Sequence, residues 1–499
     1  MNNASLAAEN AELKQSLAER ERSLAERDQL IEALTGKLEQ LAFELAKLRR
    51  QVMGPKAERP SSAASEQQMS LLSSLQPDEP TEAPAPVAAP AAPRTPHGRR
   101  AAEGAPDQII RVPPPNACPD CGGSLRTVST STATRLDWRR GHFVRVEVQR
   151  PSCACDRCHT VEMVPEPSSF ALSRSIAGNG LLAQVIVDKF ADNIPLNRQV
   201  TRFEREGLNL PLSTLCGFMA QTGALLSRVV DAARAEQLAS GWLQGDDTGL
   251  PVLDGAAGKA VAGRLWVWAN DRHVVYDFTP TKHGSGPAAY LRDFSGVVLA
   301  DGGSEFNEAV RKAGRVRAGC WSHARRYFHE ARDTSPAMAD EAIARIGVLF
   351  EIERQLHEAD PGTRRQVRST RTRAVLDELH AWLSARVHGL RPTAPIAKAL
   401  NYTLNQWAPL TVCVDHPEIP IHNNRSELHL RRPVIGRKNW LFAGSEGGAR
   451  TAAILFSLTA SCRLHQIDPW EYLHDVLGRI NDHPVNRVAE LTPAAWGGR

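Results

Sequence analysis

Four cysteines stand as two C-x-x-C pairs, Cys118-Pro-Asp-Cys121 and Cys155-Asp-Arg-Cys158, with 33 residues between the inner two. Two tight turns that each supply two thiolates suit tetrahedral zinc, and Gly122-Gly123 directly after the first pair suits such a turn. Buried reduced thiols are the plainer reading of the same residues, and Cys153 is an alternative ligand to Cys155. The chain has nine cysteines, and those outside the two pairs are scattered singly, which is metal-site usage rather than a disulfide framework.

A second chemistry rests on carboxylates. Asp246 lies just after the first strand candidate, in GWLQGDDTGLPVL, and Asp301 ends another, GVVLADGG. Between them run the apolar stretches RLWVWAND and HVVYDFTP and a short helix candidate, PAAYLRDF; RVRAGCW follows. Three strands, a helix and a strand begin a ribonuclease-H-like sheet, in which the first and fourth strands lie side by side and parallel. Carboxylates on those two strands then converge, giving the hard oxygen ligands that two Mg²⁺ (or Mn²⁺) ions need for in-line phosphodiester attack. Glu427, in HNNRSELHLRR, is the candidate third ligand. Each carboxylate also has a plain structural reading: Asp246-Asp247 and Asp301-Gly302-Gly303 as turns, Asn424-Arg-Ser-Glu427 as a helix capping box. Their joint order favours the metal site.

Cations cluster after Glu427. Residues 421–450 hold Arg425, Arg431, Arg432, Arg437, Lys438 and Arg450 against Glu427 and Glu446, with Trp440 and Phe442 interleaved. That suits a phosphate-backbone track with aromatic platforms, or equally a solvated helix face over buried aromatics. Arg325 and Arg326 are further candidates for facing DNA. They follow Cys320-Trp-Ser-His323, a lone C-x-x-H with no partner pair, for which packing is the default. Gly444-Ser-Glu-Gly-Gly448 before a helix offers a phosphate site or a plain loop.

Several elements must position these groups. Leu17, Leu24, Ile31, Leu38 and Leu45 recur every seven residues, and Leu6, Leu13, Leu34, Leu41 and Leu48 form a second register that Arg20 and Arg27 interrupt. This a/d seam, with Asn10 on the a register, predicts a self-pairing coiled coil. TEAPAPVAAPAAPRTP belongs to a linker too poor in large apolar groups to fold. Residues 178–240 read as helices: LLAQVIVDKFADN, then PLNRQVTRFEREG ending at Gly207, then a helix opening at Ser213-Thr214. Helix, glycine turn and polar-started helix form the pattern of a helix-turn-helix, which makes Ser213 and Thr214 DNA-contact candidates. Residues 322–412 and the C-terminal stretch are helical. The net charge of +4 and pI of about 8.6 leave any nucleic-acid argument to these local clusters. No leader pattern and no membrane-length apolar run occurs, so a cytoplasmic protein is expected.

In GDDT (245–248), LADG (299–302), CWSHARRYF (320–328), NNRSE (423–427) and GRKNWLFAGS (436–445) the chain resembles transposases of the insertion-sequence-sixty-six family. The zipper, the paired knuckles and Ile194-Pro-Leu-Asn-Arg198 stand in that family's order, so the resemblance runs over nearly the whole chain. It departs at Gly249, where relatives carry proline, at Gly303, where they carry an aromatic, and at Gly54-Pro-Lys-Ala-Glu58 after the zipper. The resemblance implies that Asp246, Asp301 and Glu427 form a catalytic triad and that the helical region between the last two is an insertion.

The expected architecture is multidomain: a coiled coil at 1–52, a linker at 53–107, a zinc-binding β module at 108–167 and a helical DNA-binding region at 168–240. A ribonuclease-H-like α/β catalytic domain follows at 241–445 with a helical insertion at about 325–420, then a helical segment at 446–499. The expected activity is metal-dependent strand cleavage and transfer. Expected partners are the element's terminal repeats, target DNA, a second copy of the chain and element-encoded accessory proteins, with no membrane. The competing function is a non-enzymatic, zinc-containing DNA-binding regulator, which would have no need of three ordered carboxylates.

Overall fold

The computed structural model describes residues 107–497 apart from 116, 119, 121, 140, 160, 255–258 and 312–313, together with Arg27 and Lys37. The expected coiled-coil seam, the linker and Cys121 therefore lie outside the described residues. No described helix is long and apolar enough to cross a membrane. Residues 319–422 fall in one compact unit, and residues 107–318 with 423–497 in a second, larger one.

The larger unit opens with a β module. Strand β1 (Asp107–Arg111) runs parallel to β3 (His142–Cys155), while β2 (Leu125–Arg139) and β4 (Val161–Met163) pair antiparallel with β3. Gly141, at φ +94°, turns the long β2–β3 hairpin. Val144, Val146 and Val148 alternate along β3 and pack with Phe170 in a small core of their own, the period-two pattern of a strand with one covered face.

Helices follow. Helix α1 (Asn179–Ile186) runs on into a π-helical turn at Val187–Ala191 and is succeeded by α2 (Leu196–Arg205). Gly207, at φ +84°, ends α2, and α3 (Leu212–Leu238) begins after Pro211. Ser213 and Thr214 sit inside its first turn rather than at its cap. Leu215, Phe218, Leu226, Val229 and Ala233 bury α3 over most of its length, so it is a packing element of the core.

A five-stranded sheet comes next, in the spatial order β7-β6-β5-β8-β9. The central strand β5 (Trp242–Asp254) pairs antiparallel with β6 (Lys259–Ala269), and β6 with β7 (Val274–Thr279). After α4 (Ser285–Tyr290), β8 (Gly296–Leu299) returns parallel to β5. Beyond α5 (Ser304–Ala309), β9 (Arg315–Ala318) lies parallel to β8. Residues 265–269 of β6 are all buried, which marks a strand covered on both faces.

Residues 319–422 are helical: α6 (Trp321–Ala331), α7 (Pro336–Gln355), α8 (Pro361–Val367), α9 (Arg373–Arg386), α10 (Pro395–Asn405) and α11 (Trp407–Thr411). Arg368, 1% exposed, ion-pairs with Glu353 and donates to the carbonyls of Cys413, His416 and Ile419, which ties this bundle to its last turn. Cys320 is buried, and Trp321 next to it donates from its indole to the Leu410 carbonyl and meets the Trp407 ring edge-on.

The chain returns to the larger unit with α12 (Asn424–Trp440), α13 (Glu446–Leu464) and α14 (Pro469–Arg479). One hydrophobic core joins the helices α1 to α3, the sheet, α13 and α14. Segments read from sequence as a DNA-binding region, a catalytic domain and a C-terminal segment thus share a single interior.

Candidate active site

Asp246 stands inside β5, not after it: the strand continues to Asp254, and Asp246 faces Val267 of β6 in the ladder. The residue before it must be small. A methyl group at Gly245 would sit 2.8 Å from the Trp268 ring and 3.0 Å from that of Phe306, so the aromatic packing beneath the site requires glycine. Asp301 follows β8, the strand paired parallel with β5 through Trp242 to Gln244. Its Oδ1 accepts the Gly303 N–H at 3.0 Å, and Arg317 donates to its carbonyl at 2.8 Å.

Glu427 comes from the first turn of α12, which the NNRSE residues anchor to β5. The Asn423 amide donates to the Gly245 carbonyl at 2.9 Å and accepts the Ser426 hydroxyl at 2.7 Å. Ser426 also donates to the Gln244 side chain, from backbone and hydroxyl, at 3.3 Å each. All three side chains are buried. A capping box is not what forms: Asn423 occupies the cap position without a side-chain cap bond, and its amide is spent on the neighbouring strand. Further along α12, Arg437 donates to Thr248 Oγ1 at 3.2 Å. Alternate residues Gln244, Asp246 and Thr248 therefore form the face of β5 on which α12 lies.

The electrostatics register the convergence. The Asp246 carboxyl is pushed up to about 7, first by desolvation and then by the charges of Asp301, Glu427 and Asp247. The oxygens of the three carboxylates are more widely spaced than the thiols below. Hard, mutually repelling carboxylate oxygens are the donors Mg²⁺ takes. Asp247 has a separate environment. Its side chain, 8% exposed, pairs with Arg264 at 2.9 Å and with Lys282 at 3.6 Å.

In the β module, Cys118, Cys155 and Cys158 bring their sulfurs within 4.8 Å of one another. Among the described residues they are the one group of three or more such ligand atoms this close. Cys118 and Cys158 Sγ are 3.4 Å apart, and Cys155 Sγ accepts the N–H groups of Arg157 and Cys158 at 3.4 and 3.5 Å. Gly122, at φ +68°, donates its N–H to the Cys118 carbonyl, and His159, at φ +60°, donates to that of Cys155. Both turns thus close in the same way. Soft thiolates at this spacing fit zinc. Cys153, fully buried on β3, lies outside the group.

The predicted DNA-contact cations separate by environment. Arg431 and Lys438 are exposed on α12. Arg425 pairs with Asp271 at 2.5 Å, Arg432 donates to the Ala191 carbonyl, and Arg437 turns inward to Thr248. Leu428, Ile435, Leu441 and Phe442 are exposed beside the two outward cations, whereas Trp440 is half-buried with Lys189 above its ring. In the smaller unit Arg326 pairs with Glu330 at 3.7 Å and Arg325 is half-buried. Ser445 caps α13 by accepting the Gly448 N–H at 3.0 Å, so the glycine segment satisfies its own helix start. Sequence reasoning did not find Lys282, Arg264, Glu305 or Gln244. Asn423 and Ser426 were in view only as letters of a motif.

The chain matches the family described as "Transposase IS66 family" over residues 174–451. It also matches "IS66 C-terminal element" over 457–494, "zinc-finger binding domain of transposase IS66" over 115–159 and "Transposase C of IS166 homeodomain" over 40–112. Its curated relatives include "Uncharacterized protein y4hP" of Sinorhizobium fredii (strain NBRC 101917 / NGR234), 33% identical over 422 residues, which span 78% of this chain and 76% of the relative. Two more from the same organism, "Uncharacterized protein y4jD" and "Uncharacterized protein y4qI", are 28% and 27% identical. Those alignments cover 78% and 80% of this chain, and 80% and 78% of the relatives.

Proposed function

The chain belongs to the IS66 transposase family, and on that premise we propose that it cuts DNA at the ends of its element and joins them to target DNA through Asp246, Asp301 and Glu427. These carboxylates would hold two Mg²⁺ or Mn²⁺ ions. The ions, when bound, supply a lowered pKa for an attacking water or 3′-hydroxyl and stabilise the leaving oxygen. The protein's own part is placement. Strand β5 presents Asp246, the turn after β8 presents Asp301, and the Asn423–Ser426 anchor brings Glu427 to them. The parallel β5–β8 pair at the centre of the sheet supports a ribonuclease-H-like reading of this domain.

The observation that carries the proposal is the placement of the three carboxylates: Asp246 lies within β5, Asp301 follows the strand parallel to it, and Glu427 sits on the helix turn that Asn423 and Ser426 fasten to β5. A regulator that only bound DNA would gain nothing from three repelling carboxylates placed together. Zinc at the β module is supported by the family match over 115–159 and by the gathered thiols, with Cys121 as the fourth ligand beside Cys118, Cys155 and Cys158. Arg431 and Lys438 are the α12 cations free to follow a phosphate backbone; Ser213, Thr214, Arg325 and Arg326 are secondary candidates. Residues 1–52 would pair two copies, in a cytoplasmic complex that includes any accessory proteins of the element.

The test is Mg²⁺-dependent cleavage of DNA bearing the element ends, with binding followed in parallel. Asp246→Asn, Asp301→Asn and Glu427→Gln should each lower cleavage by orders of magnitude and leave DNA binding in place. Asp247→Asn should be milder, because Asp247 is engaged by Arg264 and Lys282 on the other face of the strand. Normal cleavage by all three amide variants would overturn the mechanism.

A further inference from the structure

Next to the three carboxylates lies a second charged group. Asp247 and Glu305, with side chains 8% and 7% exposed, are bridged by one lysine. Lys282 Nζ is 3.6 Å from Asp247 Oδ1 and 2.9 Å from Glu305 Oε1. Arg264 takes the other oxygen of Asp247 at 2.9 Å. The cluster adjoins the triad at two points. Asp247 follows Asp246 in the chain, and Glu305 flanks the same glycine as Asp301: a methyl group at Gly303 would lie 2.6 Å from Glu305 Oε1 and 3.0 Å from Asp301 Oδ1.

Unlike the acids it bridges, Lys282 is 45% exposed. An ammonium has three N–H donors. Glu305 takes one of them at 2.9 Å and Asp247 adds an ion pair at 3.6 Å, while nearly half of the side chain stays exposed. Fixing a lysine side chain costs up to about 2 kcal/mol of rotamer entropy, so a surface lysine is normally not held in one place. Here two desolvated carboxylates, one hydrogen-bonded and one ion-paired, offset that cost. The hydrogen bond to Glu305 also holds the Lys282 pKa above its usual value, so the group stays charged. Arg264 and Lys282 balance Asp247 and Glu305, and the cluster as a whole adds no net negative charge to repel a polyanion at the rim of the site.

We propose that Lys282 binds a backbone phosphate of the DNA lying across the triad, with Asp247 and Glu305 as the positioning residues that aim it. The inference rests on the nuclease reading above and deepens it, because it gives the second acid of the GDDT motif a role that is not metal ligation. The phosphate meets a charge already fixed in place, so little ordering remains to be done when DNA binds.

The experiment measures binding of element-end DNA over a salt series in Mg²⁺-free buffer, with zinc retained, for wild type, Lys282→Gln, Lys282→Arg and Asp246→Asn. Loss of one phosphate contact should lower the slope of log affinity against log salt by about 1. Lys282→Gln should show that loss and bind several-fold more weakly at moderate salt, while Lys282→Arg keeps the slope. Glu305→Gln gives a second route, since it leaves the lysine in place but removes its nearer anchor; affinity should fall with the charge still present. An unchanged slope and affinity in Lys282→Gln would overturn the proposal. Asp246→Asn separates the two ideas: normal Mg²⁺-dependent cleavage by that variant sinks the triad, whereas the Lys282 result is read from binding alone.

Discussion

A carboxylate and an ammonium, each desolvated, show how single residues carry strain in this fold. Asp246 loses water and faces the like charges of Asp301, Glu427 and Asp247, and a proton or a cation relieves it. Lys189, on the π-helical turn, has no carboxylate partner of comparable effect among the described residues. Desolvation lowers its pKa from 10.5 to about 8, against a small opposing influence from Cys216. Its ammonium lies 5.2 Å from the centre of the Trp440 ring and 5.6 Å from that of Phe190. A base with a folded-state pKa below its unfolded value holds its proton less tightly when folded. Stability therefore falls as pH drops from 10.5 through about 8, and the full cost, on the order of 3 kcal/mol before the ring contacts offset part of it, is present at neutral pH. Lys189→Met keeps the apolar stem and removes the charge. Its thermal midpoint at pH 7 should exceed that of wild type by a few degrees, and the gap should close toward pH 10. A midpoint below wild type with a gap independent of pH would mean that the ring contacts outweigh the burial.

At the scale of elements, the placement of Glu427 depends on how α12 begins. Asn423 and Ser426 fasten the helix start to the backbone of Gly245 and the side chain of Gln244, directly before Asp246. Asn423→Ala would leave the Gly245 carbonyl and the Ser426 hydroxyl without those bonds in a buried place, at a cost of about 1–3 kcal/mol. Cleavage should drop at least tenfold while end binding and zinc content hold; cleavage equal to wild type would show that Glu427 needs no such anchor. The sheet was legible in sequence because β5 to β9 are short apolar runs separated by glycine and polar turns, and a carboxylate next to a strand end is easy to see. The anchor was not, since Asn-Arg-Ser-Glu spacing has a local explanation in capping, and only the fold brings Asn423 beside a strand nearly 180 residues earlier. Lys282 left no trace for the same reason: its partners lie 35 residues before and 23 after it, with no periodicity linking them. Ser213 and Thr214 failed as cap signals because Pro211 already supplies the extended residue that starts α3.

For the whole molecule, one carboxylate set per chain has a consequence. On the mechanism proposed above, a chain that works through Asp246, Asp301 and Glu427 would act on one of an element's two ends at a time. Coordinated cutting therefore calls for at least two copies held together. Residues 5–50 carry the one long heptad repeat in the sequence, sustained over six heptads, with Asn10 at an a position able to fix register at some cost in stability. A stretch rich in proline and alanine separates that repeat from the β module in the sequence. Removal of residues 1–52 should lower the oligomeric state in sedimentation. Cleavage at a single end should survive the deletion. Joint cleavage of two ends on one DNA should fall at low protein concentration and recover as concentration rises, since a pairing segment would act by raising the effective concentration of the second copy. An unchanged sedimentation profile would place the pairing surface elsewhere in the chain, and loss of single-end cleavage would make the N-terminal segment part of the site itself.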